Sequence, residues 1–476
     1  MMNDNKLPKA PVSVRVRKFF LGSARSRLPI LFGIALAVSL SVSGGILFPN
    51  PLFTFDSSGV LSTYGRVDVT NPFFRALGSN GRTCNTCHLA GSAWSITPAD
   101  VHAKFNATKG LEPIFRTNDG SNCPSADVST PRARASAYSM LLSKAVLRIS
   151  LAMPTNAEFQ IIDIQDPYNC AETTPSNPAF FRRPLPSTNL RFLSAVMWDG
   201  RETVFGSIPG KSLNLEQSLK NQGQDAVTGH AQGAVPTPEQ LAKITEFETA
   251  ISTAQVFDVH AGNLTAKGAT GGPVALSQQN TYIGINDALG GDPTGAAFNS
   301  NAFALYESWK DSNSPYRRSV ARGEALFNTL PIPITNVAGL NDSLKQPVIM
   351  GTCTTCHDTP NAGNHSLSVP LGIGTTAYPA QPALDIAGLP VYRVQCLTTG
   401  ETVEVTDIGR AMISGKCADI GKVKGPVLRA LAARAPYFHN GGAKTLEDAV
   451  EFYNERFSLA LTSQQKSDLA AFLRTL

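Results

Sequence analysis

Charged residues are scarce in this chain of 476 residues: Asp, Glu, Lys and Arg make up 16% of it, whereas 42% is hydrophobic. Part of the net charge of +5 arises in the first 27 residues, which hold seven Lys or Arg and one Asp. The remainder is close to neutral and has no basic stripe, so no nucleic-acid partner is expected. The composition is that of a globular protein, and the length suffices for two or three domains.

Runs of alternating apolar and polar residues are also few, so little sheet is expected. Thirty-two prolines and thirty-nine glycines predict helices joined by long irregular loops. Helices are predicted over residues 71–78, 238–256 and 317–328, and from a capping box at Thr462 and Gln465 to the C-terminus.

The pentapeptide Cys-x-x-Cys-His occurs twice, as Cys84-Asn-Thr-Cys87-His88 and as Cys353-Thr-Thr-Cys356-His357. This pattern is typical of covalent c-type haem attachment, in which the two thiols add to the porphyrin vinyl groups and the His binds the iron. Two covalently bound c-type haems predict electron transfer or haem redox chemistry.

Two other interpretations of the cysteine pairs are weaker. The pairs of a Cys₄ zinc ribbon usually lie about 15–20 residues apart, whereas well over two hundred residues separate these pairs. A thioredoxin-like site needs a βαβ context, which neither pair has. Neither interpretation explains why a His directly follows both pairs.

The N-terminus predicts export. Residues 28–55 carry no charge and follow the basic segment, and Ser41-Val42-Ser43 is a small-x-small cleavage site. The apolar stretch is also long enough to span a bilayer. Residues 1–50 are therefore a signal peptide or an uncleaved inner-membrane anchor, and Gly44-Gly45 favours cleavage because it interrupts a helix. Both alternatives place the remainder in the periplasm.

Four cysteines remain outside the two motifs. An even number in an oxidising compartment predicts disulfides. Nearest-neighbour pairing gives Cys123–Cys170 and Cys396–Cys417, one bridge in each half of the chain. The other connectivities and free buried thiols remain as alternatives.

The two motifs divide the chain into halves, each expected to form one domain. The predicted division is a first cytochrome c-like haem domain with insertions at 51–260, a linker or insertion at 261–315, and a second cytochrome c-like haem domain at 316–476. The expected fold class is mainly α, with long irregular loops and little sheet, after an N-terminal signal or anchor helix.

Further sequence blocks surround the motifs at Met197-Trp-Asp-Gly-Arg201, Lys424-Gly-Pro-Val-Leu-Arg429, Ala435-Pro-Tyr-Phe-His-Asn-Gly441 and residues 445–453. Together with the paired motifs, they resemble the bacterial di-haem cytochrome c peroxidase and MauG family over most of residues 70–476. The order and spacing of the blocks are more specific than any single block. Residues 206–232 and 262–315 fit the family less well.

The resemblance implies that one haem reduces peroxide while the other stores or relays electrons, and that a Trp between them provides the path. Trp198 matches that bridging position. Gln217 matches the first residue of the peroxidase pocket, but Asn221 and Val227 stand where the family has Pro and its acid–base Glu. His230 is therefore the candidate acid–base catalyst or sixth iron ligand, with a solvent-facing loop His as the alternative.

The resemblance also implies the iron ligands. His88 and His357 are the proximal ligands of the first and second haem. Tyr453 stands where the peroxidases place a Met and MauG a Tyr, so it is the expected sixth ligand of the second haem. Met412 and His439 are the alternatives for that position.

Two further positions follow from the same resemblance. The Asn that helps hold a calcium ion in the family is replaced by Arg183, which cannot coordinate a cation. We therefore expect weak calcium binding or none, with the guanidinium replacing the charge or reaching a haem propionate. His102 resembles a loop His that ligates the peroxidatic haem, although an exposed position at a helix end is favoured.

These features predict a periplasmic di-haem c-type oxidoreductase that reacts with hydrogen peroxide at the first haem, on His88, and relays electrons through the second. The electrons would come from a small redox protein or from an organic or protein donor. Because the acid–base Glu is missing, a MauG-like oxidase is also considered. Two other functions remain as alternatives: a non-enzymatic di-haem electron-transfer cytochrome, and a di-haem oxygenase acting on an apolar substrate.

Overall fold

The structure, a computed structural model, describes residues 50–207 and 212–476. The predicted signal peptide or anchor falls almost wholly outside these residues. Among the helices of the described part, none is both long and apolar enough to cross a membrane.

The described residues contain eleven α-helices, most of which begin after a Ser, Thr or Asn whose side chain caps the first turn. In five of them Pro occupies the first helical position, where its missing N–H is not needed. Their bounds are α1 Pro98–Thr108, α2 Pro131–Ala137, α3 Ser139–Lys144, α4 Leu215–Asp225, α5 Pro238–Ala250, α6 Pro273–Ser277, α7 Pro315–Thr329, α8 Asn341–Leu344, α9 Ala411–Ser414, α10 Leu446–Arg456 and α11 Ser463–Arg474.

The strands of the described residues form four small antiparallel sheets, of order β1-β2-β6-β7, β11-β10-β4, β3-β5 and β8-β9. Their bounds are β1 Leu52–Asp56, β2 Gly59–Tyr64, β3 Leu147–Ser150, β4 Phe159–Gln165, β5 Ala179–Arg182, β6 Ser252–Asp258, β7 Gly262–Asn263, β8 Ile332–Thr335, β9 Val348–Gly351, β10 Val391–Cys396 and β11 Thr402–Val405. Helices contain more residues than strands, in agreement with the expected mainly helical chain with small sheets.

The helices predicted before the second motif and at the C-terminus are confirmed as α7 and α11. Thr462 and Gln465 form the capping box at the start of α11. The prediction over residues 238–256 is wrong beyond Ala250, where the chain turns into β6 and pairs with β2. The prediction over residues 71–78 is also wrong, since only a single 3₁₀ turn forms there, at Pro72–Phe74.

Helices α7 and α11 pack closely and form one wall of the C-terminal core. A Cβ atom at Gly323 on α7 would lie 2.0 Å from the carbonyl oxygen of Asp468 on α11, so only glycine allows this approach. Phe327 and Phe472 are buried across the contact, with ring centroids 5.7 Å apart. This pairing holds the core against which Cys353 packs.

Strands from distant parts of the chain pair in the three-stranded sheet. β4 and β10 are antiparallel neighbours with Tyr392 opposite Ile164. The Tyr392 ring is buried and contacts Phe180 of β5 at 5.2 Å between centroids. The two disulfides predicted by nearest-neighbour pairing, Cys123–Cys170 and Cys396–Cys417, are confirmed. The domain boundaries stay a prediction.

Candidate functional site

Each Cys-x-x-Cys-His motif lies at the edge of its own large cavity. Cys84 and Cys353 each begin a 3₁₀ turn, in which the backbone N–H of the preceding Thr donates to the hydroxyl of a Thr three residues on. Cys84, Cys87 and His88 line a first cavity, whereas Cys353, Cys356 and His357 line a second.

The two motif histidines are held in the same tautomer by backbone carbonyls. His88 donates from Nδ1 to the oxygen of Trp94 at 2.9 Å, and His357 donates from Nδ1 to the oxygen of Gly363 at 2.6 Å. This leaves Nε2 of each imidazole as the free lone-pair donor, which is how a protein orients a metal-binding His. Burial lowers the pKa of His88 to about 4, so its imidazole is neutral.

The four motif cysteines are free thiols that carry no charge at neutral pH. Burial raises the pKa of Cys87 to about 11 and that of Cys353 and Cys356 to about 12. None of the four cysteines is in a disulfide. In residues 50–207 and 212–476 there is no group of three or more His, Cys, Asp or Glu arranged to hold a metal ion. Paired thiols beside a neutral imidazole at a large cavity fit one covalently attached haem per motif.

The two cavities share a wall in which Trp198 is central. The side chain of Trp198 is 8% exposed and lines both cavities. Its indole N–H donates to the carbonyl oxygen of Arg183 at 2.8 Å, and its own carbonyl accepts from the backbone N–H of Lys424 at 2.9 Å. Its ring meets that of His439 edge-on, with centroids 6.2 Å apart. The indole is therefore fixed between the two predicted haem sites.

Ion pairs anchor the turn that carries Trp198. Asp199 is fully buried and accepts from Arg182 at 2.5 Å and from Arg201 at 3.1 Å, while Arg182 also binds Asp407 at 2.7 Å. Burial favours the neutral form of Asp199, but the two guanidinium groups override it and lower the pKa to about 2. Breaking such a buried network typically costs about 3–5 kcal/mol. The Trp198 position is therefore rigidly specified.

The shared wall also holds three basic side chains, the buried Arg183 and Lys424 and the half-buried Arg434. None of them forms an ion pair with a carboxylate of the described residues; each donates instead to backbone carbonyls. Burial lowers the pKa of Arg183 to about 9, that of Lys424 to about 7 and that of Arg434 to about 10. Buried cations are costly unless paired, so this wall fits a ligand with carboxylates, such as haem.

Arg183 lies where the family resemblance predicts a calcium ligand. Its guanidinium donates to the carbonyl oxygens of Lys144 at 2.9 Å, Ile96 at 2.7 Å and Arg434 at 3.1 Å. The side chain thus places a positive charge among carbonyl oxygens. Weak or absent calcium binding stays a prediction.

Helix α4 and a following π-helical turn, Ala226–His230, form a further wall of the first cavity. Leu219, Gln222, Gly223 and Val227 line it. Gln217 does not: it is exposed and donates to Asn221 at 2.8 Å, one turn further along the same face. Because Leu219 and Gly223 face inward, the helical period turns residue 217 outward.

His230 ends the π-helical turn and lines the first cavity. Its Nδ1 lies 2.5 Å from a carboxylate oxygen of Asp119, whose other oxygen accepts from Arg82 at 2.5 Å. Arg82 also donates to the carbonyl oxygen of His230 at 3.0 Å. Burial disfavours the charge on Asp119, but His230 and Arg82 lower its pKa. The ionised carboxylate therefore orients the imidazole so that Nε2 is free.

Two residues of this arrangement, Asp119 and Arg82, are not predicted by the sequence analysis. Asp119 follows the first motif by 31 residues in a turn-rich segment, and Arg82 precedes it without any pattern. The segment before the first motif approaches the residue after His230 closely at Gly78. A Cβ atom at Gly78 would lie 1.9 Å from the carbonyl oxygen of Ala231, so this approach requires glycine. No local pattern in the sequence marks either Asp119 or Arg82.

The second cavity contains two of the three sixth-ligand candidates. Tyr453 of α10 and His439 line it, whereas Met412 lies in the core around β4 and β10. Burial raises the pKa of Tyr453, so its phenol is neutral in the protein alone. Both ring nitrogens of His439 are buried without a hydrogen-bond partner. His102 is exposed on α1 and lines neither cavity.

Comparison with known proteins adds a family likeness. The cytochrome-c peroxidase IdrP2 of Denitromonas iodatirespirans is 32% identical over 141 residues, which are 26% of this chain and 36% of that protein. The cytochrome c551 peroxidase of Nitrosomonas europaea is 41% identical over 69 residues, 14% of this chain and 21% of that protein. The chain is similar to cytochrome c peroxidases. The resemblance predicted from the sequence blocks is thereby confirmed.

The similarity to cytochrome c peroxidases is partial, since the chain spans about a third of the length of the first relatives it matches. No family model matches the chain. A chain of hydrazine synthase from Kuenenia stuttgartiensis covers 80% of this chain and 93% of its own length, with a TM-score of 0.30 and 14% identity. A likeness at that level supports no statement about fold or function.

Proposed function

We propose that the protein is a periplasmic di-haem c-type oxidoreductase of the cytochrome c peroxidase and MauG type. One haem is attached to Cys84 and Cys87 with His88 as its proximal ligand, and the other to Cys353 and Cys356 with His357. The observation that carries the proposal is the position of Trp198, which lines both cavities. Export by the N-terminal segment, as a signal or as an inner-membrane tether, provides the compartment in which c-type haem is attached.

The first cavity is the proposed site of peroxide reduction. When bound, haem supplies the iron that binds peroxide and exchanges its electrons. The overall reaction consumes one hydrogen peroxide, two electrons and two protons and yields two waters. His230, oriented through Nδ1 by Asp119, offers Nε2 to hold or transfer one of these protons. This arrangement supports His230 as the acid–base group, a role that Val227 cannot perform.

The second cavity is the proposed relay site. Tyr453 has no charged partner there, and its wall is formed largely by apolar side chains such as Phe327, Leu371 and Phe457. A phenolate ligand is hard and anionic, so it favours ferric iron and a low potential, whereas a thioether does the opposite. Electrons come from a small redox protein or from an organic or protein donor and pass between the cavities by way of Trp198.

The test is a stopped-flow reaction of the haem-loaded, full-length protein with hydrogen peroxide, after mass spectrometry has counted the haem additions. Two additions and a rapid, peroxide-dependent change in the haem spectrum are expected. One addition, or none, contradicts the di-haem proposal. Two haems that ignore peroxide favour a plain electron-transfer cytochrome, and a stable oxygen complex of the reduced protein favours an oxygenase.

A further inference from the structure

Glu248 on α5 is the one acidic side chain among the described residues that line either cavity. It is 4% exposed and lies in the first cavity with Ile244, one turn earlier on the same helix. The sequence resemblance expects a carboxylate at position 227, where Val stands. The first cavity therefore contains a carboxylate, but on a different helix.

The Glu248 carboxyl has little to stabilise a negative charge. One oxygen, Oε2, is buried without a hydrogen-bond partner. Burial raises the pKa of Glu248 to about 7, and a hydrogen bond with Ser187 is the one interaction that opposes this rise. No cation contributes to its pKa. A buried carboxyl without a counter-ion is neutral at a pH where exposed carboxyls are ionised.

The surroundings of Glu248 place it beside the first haem motif. A negative charge on Glu248 raises the pKa of Cys84, which shows that the two side chains are electrostatically coupled. α5 packs against the 3₁₀ turn Pro72–Phe74 and against α4. Other charged or titratable groups of this cavity include Arg75, Arg82, His88 and His230, together with the cations of the shared wall. The charge of Glu248 is thus coupled to the motif but is not neutralised by an ion pair.

We propose that Glu248 is the proton-uptake group of the first haem: its carboxylate gains a proton from solvent when that haem gains an electron, and loses it when the haem is oxidised. This proposal rests on the proposed function. Each cycle of the group moves one proton with one electron, so the charge of the cavity stays constant. When peroxide takes up the electrons, the Glu248 proton is one of the two that the reaction consumes.

The experiment is a redox titration of the haem-loaded, full-length protein between pH 5.5 and 8.5, on the wild type, Glu248→Gln and Glu202→Gln. The first-haem potential of the wild type should fall as pH rises, towards the limit of about 59 mV per pH unit for one proton per electron. Glu248→Gln cannot take up the proton, so its potential should be nearly independent of pH. The pH dependence of the second-haem potential, measured in the same titration, serves as an internal reference.

Glu202 provides a matched control. It is 8% exposed, and burial with a hydrogen bond to Asp225 raises its pKa to about 7, but it lines neither cavity. Glu202→Gln should therefore keep the wild-type slope. Glu248→Asp keeps a carboxyl and should restore part of the slope, which separates proton uptake from a packing effect.

Either of two results overturns the proposal: a first-haem potential that is independent of pH in the wild type, or a Glu248→Gln slope equal to that of the wild type. Neither result bears on the proposed peroxide reduction, because the stopped-flow reaction measures that activity separately. Failure of the proposed function would appear instead as missing haem or as no reaction with peroxide. Two haem additions by mass spectrometry confirm that each variant has matured before it is titrated.

Discussion

The two cavities are built on the same pentapeptide and the same 3₁₀ turn, but their remaining walls differ. The first is lined by the ionisable groups His230 and Glu248, and Asp119, outside the lining, orients the His230 imidazole. The second is lined by the neutral phenol of Tyr453 and by His365 and His439, among largely apolar side chains. In the proposed function, the similar motifs attach the two haems, while the unrelated segments around them determine which haem reacts with peroxide and which relays electrons.

The largest effect is expected from His230→Gln. Loss of the acid–base group should slow the reaction with peroxide by about 10²–10⁴-fold, the usual contribution of such a group. The spectrum of the second haem should not change. His102→Gln, which alters an exposed imidazole outside both cavities, is the control for general effects, and stopped-flow spectroscopy is the measurement. Equal rates for His230→Gln and the wild type would remove the chemical distinction between the cavities.

Asp119→Asn should have the next largest effect. The amide cannot accept as strongly from Nδ1 of His230, and it leaves Arg82 without its ionic partner. Loss of an orienting partner of this kind typically costs about 10–100-fold in activity. Peroxide kinetics and the pH dependence of the rate should both change. A rate within twofold of the wild type would show that the His230–Asp119 contact serves packing alone.

Trp198→Phe tests the connection between the two sites. The phenyl ring retains most of the bulk but lacks the oxidisable indole and its hydrogen bond to the Arg183 carbonyl. Transfer of oxidising equivalents between the haems should slow by about tenfold, or ~1.4 kcal/mol of barrier, with both haem spectra nearly intact. Trp309→Phe, a fully buried Trp outside both cavities, should leave this rate unchanged. If both variants behave alike, Trp198 is a packing residue.

Tyr453→Phe should have the smallest effect on turnover. Its main effect should be a change in the spectrum of the second haem. Removing the phenol oxygen should change the ferric spectrum of the second haem and leave the initial reaction with peroxide within about twofold, ~0.4 kcal/mol. Met412→Leu should change neither, since Met412 packs in a core away from the cavity. A spectral change in Met412→Leu but not in Tyr453→Phe would assign a thioether ligand instead.

Sequence reasoning succeeds where the pattern is local. The helices α7 and α11 and the two disulfides each depend on residues close together in the chain or on pairing of neighbours. It fails where distant segments meet. The β4–β10 pairing, the end of α5 at Ala250 and the Asp119–His230 contact depend on packing that no local pattern records. Gln217 illustrates the same limit, because a shift of two residues along α4 turns a side chain away from the cavity.

Glu248 shows a further reason for such failures. Its neighbours in sequence form an ordinary amphipathic helix, and a Glu in such a helix is normally solvated. Only the packing of α5 against the turn before Cys84 and against α4 reveals that this carboxyl is buried beside a cavity. A buried carboxyl can thus reach the cavity from another helix without leaving a signature in the sequence.

The most direct test of the central claim is an electron paramagnetic resonance spectrum of the ferric, haem-loaded protein before and after cyanide, compared with a variant in which Cys84 and Cys87 are both Ala. The account predicts one high-spin signal that cyanide converts, one low-spin signal that cyanide leaves unchanged, and loss of the high-spin signal in the variant. Two low-spin signals that ignore cyanide, or a high-spin signal that persists without the first haem, would contradict it.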